Sequence, residues 1–370
     1  MPRLFIGIMS GTSVDAIDTV LMDFSASDSS VVAHFSQAIR KDLKEEIHRV
    51  IANRVWPQDI EALDRQFSQA CSDAVRALLS GASVEASRVV AIGSHGQTVF
   101  HDPGGVPPVS VQIGNAGQIA RATGIQTVGN FRQADIDAGG QGAPLACAYH
   151  ERLFRTRAEN RAIINLGGIA NITLLPADPA SDTTGFDTGP ANTLCDAWIR
   201  ECRGLDFDRA GAWAQAGSTC QGLLDVMLED PYFSKPPPKS TGRETFNLSW
   251  VRQMCERYAK PVAETDVQAT LVELTAQSIA RAVKAHAPRT SRILLCGGGS
   301  DNPCMVSRIT KAVHDVPVER TGTYGISEKW MEAMAFAWLA RQTLEGKPGN
   351  LPGVTGARKE VVLGDLYQPG

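Results

Sequence analysis

A few short stretches hold the residues able to do chemistry. Asp187 stands within Gly185-Phe186-Asp187-Thr188-Gly189-Pro190. Small neighbours expose its carboxylate just before a predicted helix. A carboxylate there either acts as a general base or caps the helix, and spacing alone leaves both open. Ser10-Gly11-Thr12-Ser13 and Gly167-Gly168 are tight turns between apolar runs. Their backbone N–H groups suit phosphate oxygens, although an ordinary hairpin uses the same residues. No helix follows the first turn, so it is not a Walker loop. Gly297-Gly298-Gly299, followed by Asn302, ends a strand and opens a helix, the place where open α/β sheets bind ligands.

Asp15 and Asp18 lie just past the first turn. Either would help hold a hydrated Mg²⁺, and Asp15 serves equally as a turn-stabilising carboxylate. His95 and Gln97 follow a buried strand and can hydrogen-bond a ligand. Glu332 opens the last long helix, where it is a second acidic candidate or a first-turn glutamate favoured by the helix dipole. Lys239 and Arg243 sit in a polar segment and would reach a phosphate or simply be solvated.

Hydrophobic periodicity supplies the elements that must position these groups. Strand-like runs cover residues 4–9, 16–24 and 31–39. Helical spacing follows over 41–53 and 59–80. A short strand at 88–93 runs into Ser94-His95-Gly96-Gln97-Thr98. Residues 130–145, NFRQADIDAGGQGAPL, are polar, rich in glycine and unlike any regular element. Loops of that length inside compact proteins tend to be functional. The second half repeats the plan, with a strand–glycine turn–strand at 161–175, a long helix at 266–285 and a short strand at 292–296. The repeat is one of pattern, not of residue identity.

The chain has 370 residues and a net charge of -4, with 43% hydrophobic and 21% charged residues. That length favours two domains. The acidic balance argues against nucleic acid as main partner. Eight cysteines are scattered without a C-x-x-C pair, as expected of reduced thiols in a cytosolic protein rather than a zinc site or disulfide framework. No apolar run approaches the roughly 20 residues of a membrane helix, and Met-Pro-Arg leads into a strand, not a signal peptide.

The two glycine hairpins and the Gly-Gly-Gly loop resemble those of the sugar kinases, actin and heat-shock chaperone ATPases. More specifically, MSGTSVDAID, SHGQTVFH, NFRQADIDAGGQGAPL, NLGGIANIT, GFDTGPAN, CGGGSDNP and WMEAMAFAWLA resemble anhydro-N-acetylmuramic acid kinases. The stretches run in order from residue 9 to 340. One departure is Ala191, where a glycine is expected.

The resemblance implies an α/β protein with two similar lobes and a nucleotide and sugar cleft between them. The lobes are expected at 1–130 and 131–345, with a tail at 346–370 that returns to the first lobe. It implies an ATP- and Mg²⁺-dependent cytoplasmic enzyme of cell-wall recycling, a homodimer without nucleic-acid or membrane partners. Such enzymes convert 1,6-anhydro-N-acetylmuramic acid, ATP and water into N-acetylmuramic acid 6-phosphate and ADP. Asp187 and Glu332 are then the catalytic candidates. ATP falls to Ser10, Gly11, Thr12, Ser13, Asp15, Asp18, Asn165, Gly167, Gly168, Asn171, Gly297, Gly298, Gly299 and Asn302, with Asp15 touching the metal through water. The sugar falls to His95, Gln97, Arg132, Gln141, Gly142 and Thr188, with Arg132 forking onto the lactyl carboxylate. The alternatives are a plain amino-sugar kinase of this fold and a nucleotide-dependent binding protein.

Overall fold

A computed structural model describes residues 3–26, 29–53 and 60–370. By contacts the chain divides into two units, residues 1–149 with 330–370, and residues 150–329.

The first unit opens with strands β1 (Leu4–Met9), β2 (Ala16–Asp23) and β3 (Ser30–Ala38). Helices α1 (Lys41–Asn53) and α2 (Ile60–Ala82) follow. Asp59, the expected start of the second helix, lies outside the described residues. Next come β4 (Val89–Ser94), the hairpin β5 (Gln97–Asp102) and β6 (Val109–Ile113), α3 (Ala116–Thr123) and β7 (Thr127–Gly129). A short helix α4 (Gln133–Asp137) lies inside the stretch expected to be irregular. Helix α5 (Cys147–Phe154) straddles the division.

In the second unit, β8 (Arg161–Leu166), β9 (Ile169–Leu175) and β10 (Thr184–Pro190) precede α6 (Asn192–Arg203). Short helices α7 (Ala212–Ala216), α8 (Gln221–Leu228) and α9 (Pro231–Ser234) lead to α10 (Leu248–Tyr258) and the long α11 (Glu264–His286). The unit ends with β11 (Arg292–Cys296), α12 (Pro303–Ala312) and β12 (Val318–Arg320). The chain then returns to the first unit as α13 (Met331–Leu344), α14 (Pro352–Thr355) and β13 (Asp365–Tyr367). Residues 131–149 and 330–345, expected in the second lobe, thus belong to the first unit.

The repeat seen as a pattern in the sequence holds in topology for five strands of each sheet, with β13 an addition to the first. The first sheet runs β13-β7-β4-β1-β2-β3 and the second β10-β9-β8-β11-β12. In each, three consecutive antiparallel strands are followed by two parallel ones, so β1, β2, β3, β4, β7 match β8, β9, β10, β11, β12. Alternate residues of β8 to β10, among them Ile164, Leu166, Ala170, Ile172 and Phe186, face the apolar core of their unit together with α11. The residues between them point to the opposite face.

Helix α13 lies directly on the first sheet. Gly7 and Gly93 are partners across β1 and β4. A Cβ on Gly7 would fall 1.8 Å from the Ala333 carbonyl oxygen, and one on Gly93 would fall 2.1 Å from that of Phe336. The helix backbone occupies the space that side chains would fill. Gly7→Ala is therefore expected to destabilise the protein by about 3 kcal/mol or more, because backbone cannot yield as a side chain would. A denaturation midpoint equal to that of the parent would refute this.

Candidate active site

The first unit gathers one set of the expected residues. Between β1 and β2, the turn is closed by the Val14 N–H donating to the Gly11 carbonyl at 3.1 Å. Val14 has φ +56° and is fully buried, an unusual conformation for a β-branched side chain that core packing holds in place. A Cβ on Gly11 would meet nothing within 4 Å, so that side of the turn is open to a ligand. Ser10 is buried, and its hydroxyl donates to Gln97 Oε1 at 2.8 Å. This ties the turn to the segment after β4.

His95 is buried at the end of β4. Arg132 Nε and Nη2 approach His95 Nε2 at 3.2 and 2.8 Å. Arginine can only donate, so Nε2 accepts, and the ring proton resides on Nδ1, which donates to the Gly96 carbonyl at 2.8 Å. Arg132 Nη1 also donates to the Gly142 carbonyl at 2.7 Å. The His95 ring packs on Phe336 of α13 at 4.7 Å between centroids.

Behind this pair lies a residue the sequence reading missed. Asp135 is fully buried and accepts hydrogen bonds from the Gly142 N–H at 2.8 Å, Asn350 Nδ2 at 2.7 Å and the Thr355 hydroxyl at 2.7 Å. The Gln141 N–H donates to the Thr355 carbonyl at 2.9 Å. The tail thereby fixes the 130–145 segment, which carries Arg132, Gln141 and Gly142.

Other expected residues of this unit have local partners. Asp15 pairs with Lys44 Nζ at 2.5 Å, and its side chain is 57% exposed. Asp18 lies within β2, its carboxylate accepting from the Ser36 hydroxyl at 2.5 Å. Thr12 is exposed and Ser13 half-buried. Glu332 is half-buried in the first turn of α13, beside Trp330, which stacks on His34.

Burial sets the protonation of several histidines. It lowers the pKa of His95 and His101 to about 3, aided by the Arg132 guanidinium, and that of His150 to about 4. In the unfolded chain such groups titrate near about 6.5. Below that pH the unfolded state binds more protons than the native one. The stability they contribute is therefore complete above about pH 6.5 and is lost as pH falls toward about 3. The urea midpoint is expected to drop steadily over that window; an unchanged midpoint would contradict the burial of these rings.

The second unit gathers the other set. The Gly167-Gly168 turn is gripped by the start of α6. N–H groups of Ala191 and Thr193 donate to the Gly168 carbonyl at 2.9 and 3.0 Å, and that of Asn192 to the Gly167 carbonyl at 3.2 Å. Asn192 Nδ2 adds a bond to the Gly167 carbonyl at 2.8 Å. Ala191, the departure from the expected glycine, is buried and takes part in this grip. A Cβ on Gly298 would meet nothing within 4 Å, whereas one on Gly297 would fall 2.3 Å from Asn165 Oδ1. The open glycine faces at 11 and 298 suit phosphate or nucleotide backbone contacts.

Strand register then places a polar row on the face opposite the core. Cys296 pairs with Asn165, Asn165 with Asn171, and Asn171 with Asp187. Asp187 lies in β10 itself, where the register shifts before Gly189, rather than at the expected strand-to-helix turn. It is only 8% exposed. Thr188 is buried with its hydroxyl donating to the Ala170 carbonyl at 3.2 Å. Asn302 caps α12 by accepting from the Met305 N–H at 3.2 Å.

Residues 232–241 wrap Asp187. Its N–H donates to the Lys239 carbonyl at 3.1 Å, its carbonyl accepts from the Tyr232 hydroxyl at 2.6 Å, and Oδ2 accepts from the Thr241 N–H at 3.0 Å. Lys239, expected to reach outward, is instead 5% exposed. Its ammonium donates to the Tyr232 carbonyl at 3.1 Å and lies over the Tyr232 and Phe186 rings at 4.7 and 5.7 Å. Burial lowers its pKa, while Asp187 opposes that shift. A buried carboxylate with a cation nearby and its backbone pinned on both sides is positioned to take a proton. Sequence reading named Asp187 but not Tyr232 or Thr241, whose contacts come from a separate segment.

Among the described residues, no group of three or more His, Cys, Asp or Glu is arranged to hold a metal, and no helix is long and apolar enough to cross a membrane. Residues 3–369 match the family model described as anhydro-N-acetylmuramic acid kinase. A relative of that name from Saccharophagus degradans is 45% identical over 376 residues, covering 100% of both chains. Another, from Coxiella burnetii, is 45% identical over 371 residues, 99% of this chain and 98% of that one. A third, from Xylella fastidiosa, is 43% identical over 369 residues, 98% of this chain and 96% of that one.

Proposed function

The chain belongs to the anhydro-N-acetylmuramic acid kinase family, and from that premise we propose that it couples hydrolytic opening of the 1,6-anhydro ring to phosphorylation of O6. Water attacks the anomeric carbon C1 and the C1–O6 bond breaks. The O6 electron pair takes the γ-phosphoryl group of ATP, and ADP departs. The water's second proton passes to Asp187 and then to solvent. A carboxylate on the face opposite a departing sugar oxygen activates water in the same manner in inverting glycosidases.

Asp187 is the general base. The observation that carries this role is its place in the polar row, buried and pinned by the 232–241 segment. The turns at 10–13 and 167–168 and the loop at 297–299 would receive the nucleotide by backbone contacts. The Arg132–His95 pair, with Gln97, Gln141 and Gly142, would recognise the sugar and its lactyl carboxylate. Because His95 stays neutral well below physiological pH, it acts there as a hydrogen-bonding group and not as a cation. Glu332 would assist at the sugar. Mg²⁺ neutralises phosphate charge when bound with the nucleotide. Its usual shell of water and phosphate oxygens suits a protein with no group of three or more metal-ligating side chains among its described residues, and Asp15 would contact it through water. We place the enzyme in the cytoplasm, as a homodimer serving cell-wall recycling.

The deciding experiment mixes the protein with Mg-ATP and 1,6-anhydro-N-acetylmuramic acid in ¹⁸O-water. The expected product is 6-phosphorylated and carries ¹⁸O at C1. Phosphorylation of a free amino sugar without ring opening would instead identify a plain kinase.

A further inference from the structure

Asp187 has a neighbour in the polar row, Asn171, expected from the resemblance to face ATP, whose side-chain oxygen is unclaimed within the fold. Asn171 sits on β9 directly opposite Asp187 on β10, so the two side chains rise from the same face with Cβ atoms roughly 5 Å apart. Asn171 Oδ1 is buried and has no hydrogen-bond partner. The Thr241 hydroxyl is also buried without a partner, although the Thr241 N–H binds Asp187 Oδ2. Two residues that adjoin Asp187 thus each carry an orphaned polar atom. Leaving a buried acceptor unpaired costs about 1–3 kcal/mol, so a site built this way is made for an occupant that donates to it.

We propose that Asn171 is a positioning residue for the attacking water. The inference rests on the ring-opening reading. The water donates one proton toward the Asp187 carboxylate and the other to Asn171 Oδ1. With both protons directed to the protein, an oxygen lone pair is left to point at C1. As the new C1–O bond forms and the C1–O6 bond breaks, the proton held toward Asp187 is transferred. The proton held by Asn171 stays on oxygen and becomes that of the C1 hydroxyl. Asp187 alone fixes one O–H direction and leaves the water free to swivel about it. Asn171 removes that freedom, and Thr241 closes the remaining side.

The test uses the full-length protein with Asn171→Ala and Asn171→Thr, assayed with Mg-ATP and the anhydro sugar in buffer and in buffered methanol. Asn171→Ala is expected to lower kcat about 30- to 100-fold, the scale of a misplaced reactant, with both KM values held within about threefold. It is also expected to raise the share of 1-O-methyl product, because the vacated space admits methanol. Asn171→Thr, which keeps an oxygen and a strand-forming side chain, is expected to recover most of the lost kcat and the wild-type product ratio. A role confined to packing would change stability but not the identity of the nucleophile. Wild-type kcat with an unchanged methanol share in Asn171→Ala would overturn the proposal. So would a loss expressed in the KM for ATP. Should wild-type protein put no ¹⁸O at C1, the ring-opening reading itself fails, an outcome read without either variant.

Discussion

Replacing Asp187 by asparagine is expected to lower kcat by about 10³-fold, or ~4 kcal/mol of barrier, while leaving ATP affinity within about threefold. The substitution keeps the shape of the side chain. Its amide oxygen can still accept from the Thr241 N–H, and the Tyr232 and Lys239 contacts to the Asp187 backbone are unaffected. What disappears is the ability to take a proton from water. Nucleotide contacts are assigned to glycine turns, which the change does not touch. A coupled ADP assay gives kcat, and calorimetry with a non-hydrolysable nucleotide gives affinity. A variant retaining more than a tenth of wild-type turnover would remove Asp187 from the base role and direct attention to Glu332.

The second large effect is expected at Asp135, a residue assigned no contact with substrate. Asp135→Ala leaves the Gly142 N–H, Asn350 Nδ2 and the Thr355 hydroxyl without their shared acceptor. Unpaired buried donors cost about 1–3 kcal/mol each, so a loss of about 3–5 kcal/mol of stability is expected. Function should suffer in a particular way. Gly142 holds Arg132 through its carbonyl, and Arg132 holds His95, so the pair proposed to recognise the sugar loses its support. The KM for the sugar should rise at least about tenfold while that for ATP changes little. Denaturant titration and steady-state kinetics measure the two parts separately. Normal stability, or equal increases in both KM values, would show that the Asp135 hub does not position the sugar site.

How legible these features were depends on the range of the interactions that make them. The β1–β2 and β8–β9 hairpins could be read because an apolar run, a glycine turn and a second apolar run are neighbours in sequence. Their equivalence in topology could be read for the same reason. Asp187 stood out by its flanking glycines, but its setting within a strand did not. The bulge before Gly189 and the grip by residues 232–241 are tertiary. Helix α13 is legible as a run rich in Ala, Met and Trp, yet its place in the first unit is not, since that rests on the fit of Gly7 and Gly93 to its backbone. In the 130–145 stretch, glycine content marks the segment as unusual but hides what holds it. A Cβ at Gly140 would fall 2.2 Å from Asp135 Oδ2, so that glycine makes room for a buried carboxylate. The partners of that carboxylate are 215 and 220 residues downstream, beyond any local pattern.

That separation has a consequence in time. On the ribosome, Asp135 emerges long before Asn350 and Thr355. At about 5–20 residues per second, the interval is on the order of ten to forty seconds. Within it the whole second unit, one uninterrupted segment, is synthesised. The first unit must meanwhile carry a carboxylate destined for burial with two of its donors not yet made, and a sheet edge at β7 awaiting β13. On the proposed assignment, sugar recognition is thus the last capability the nascent chain acquires. A released chain ending before residue 350 would hold every residue of the unit proposed to carry the base, and an unfinished unit where sugar recognition is proposed.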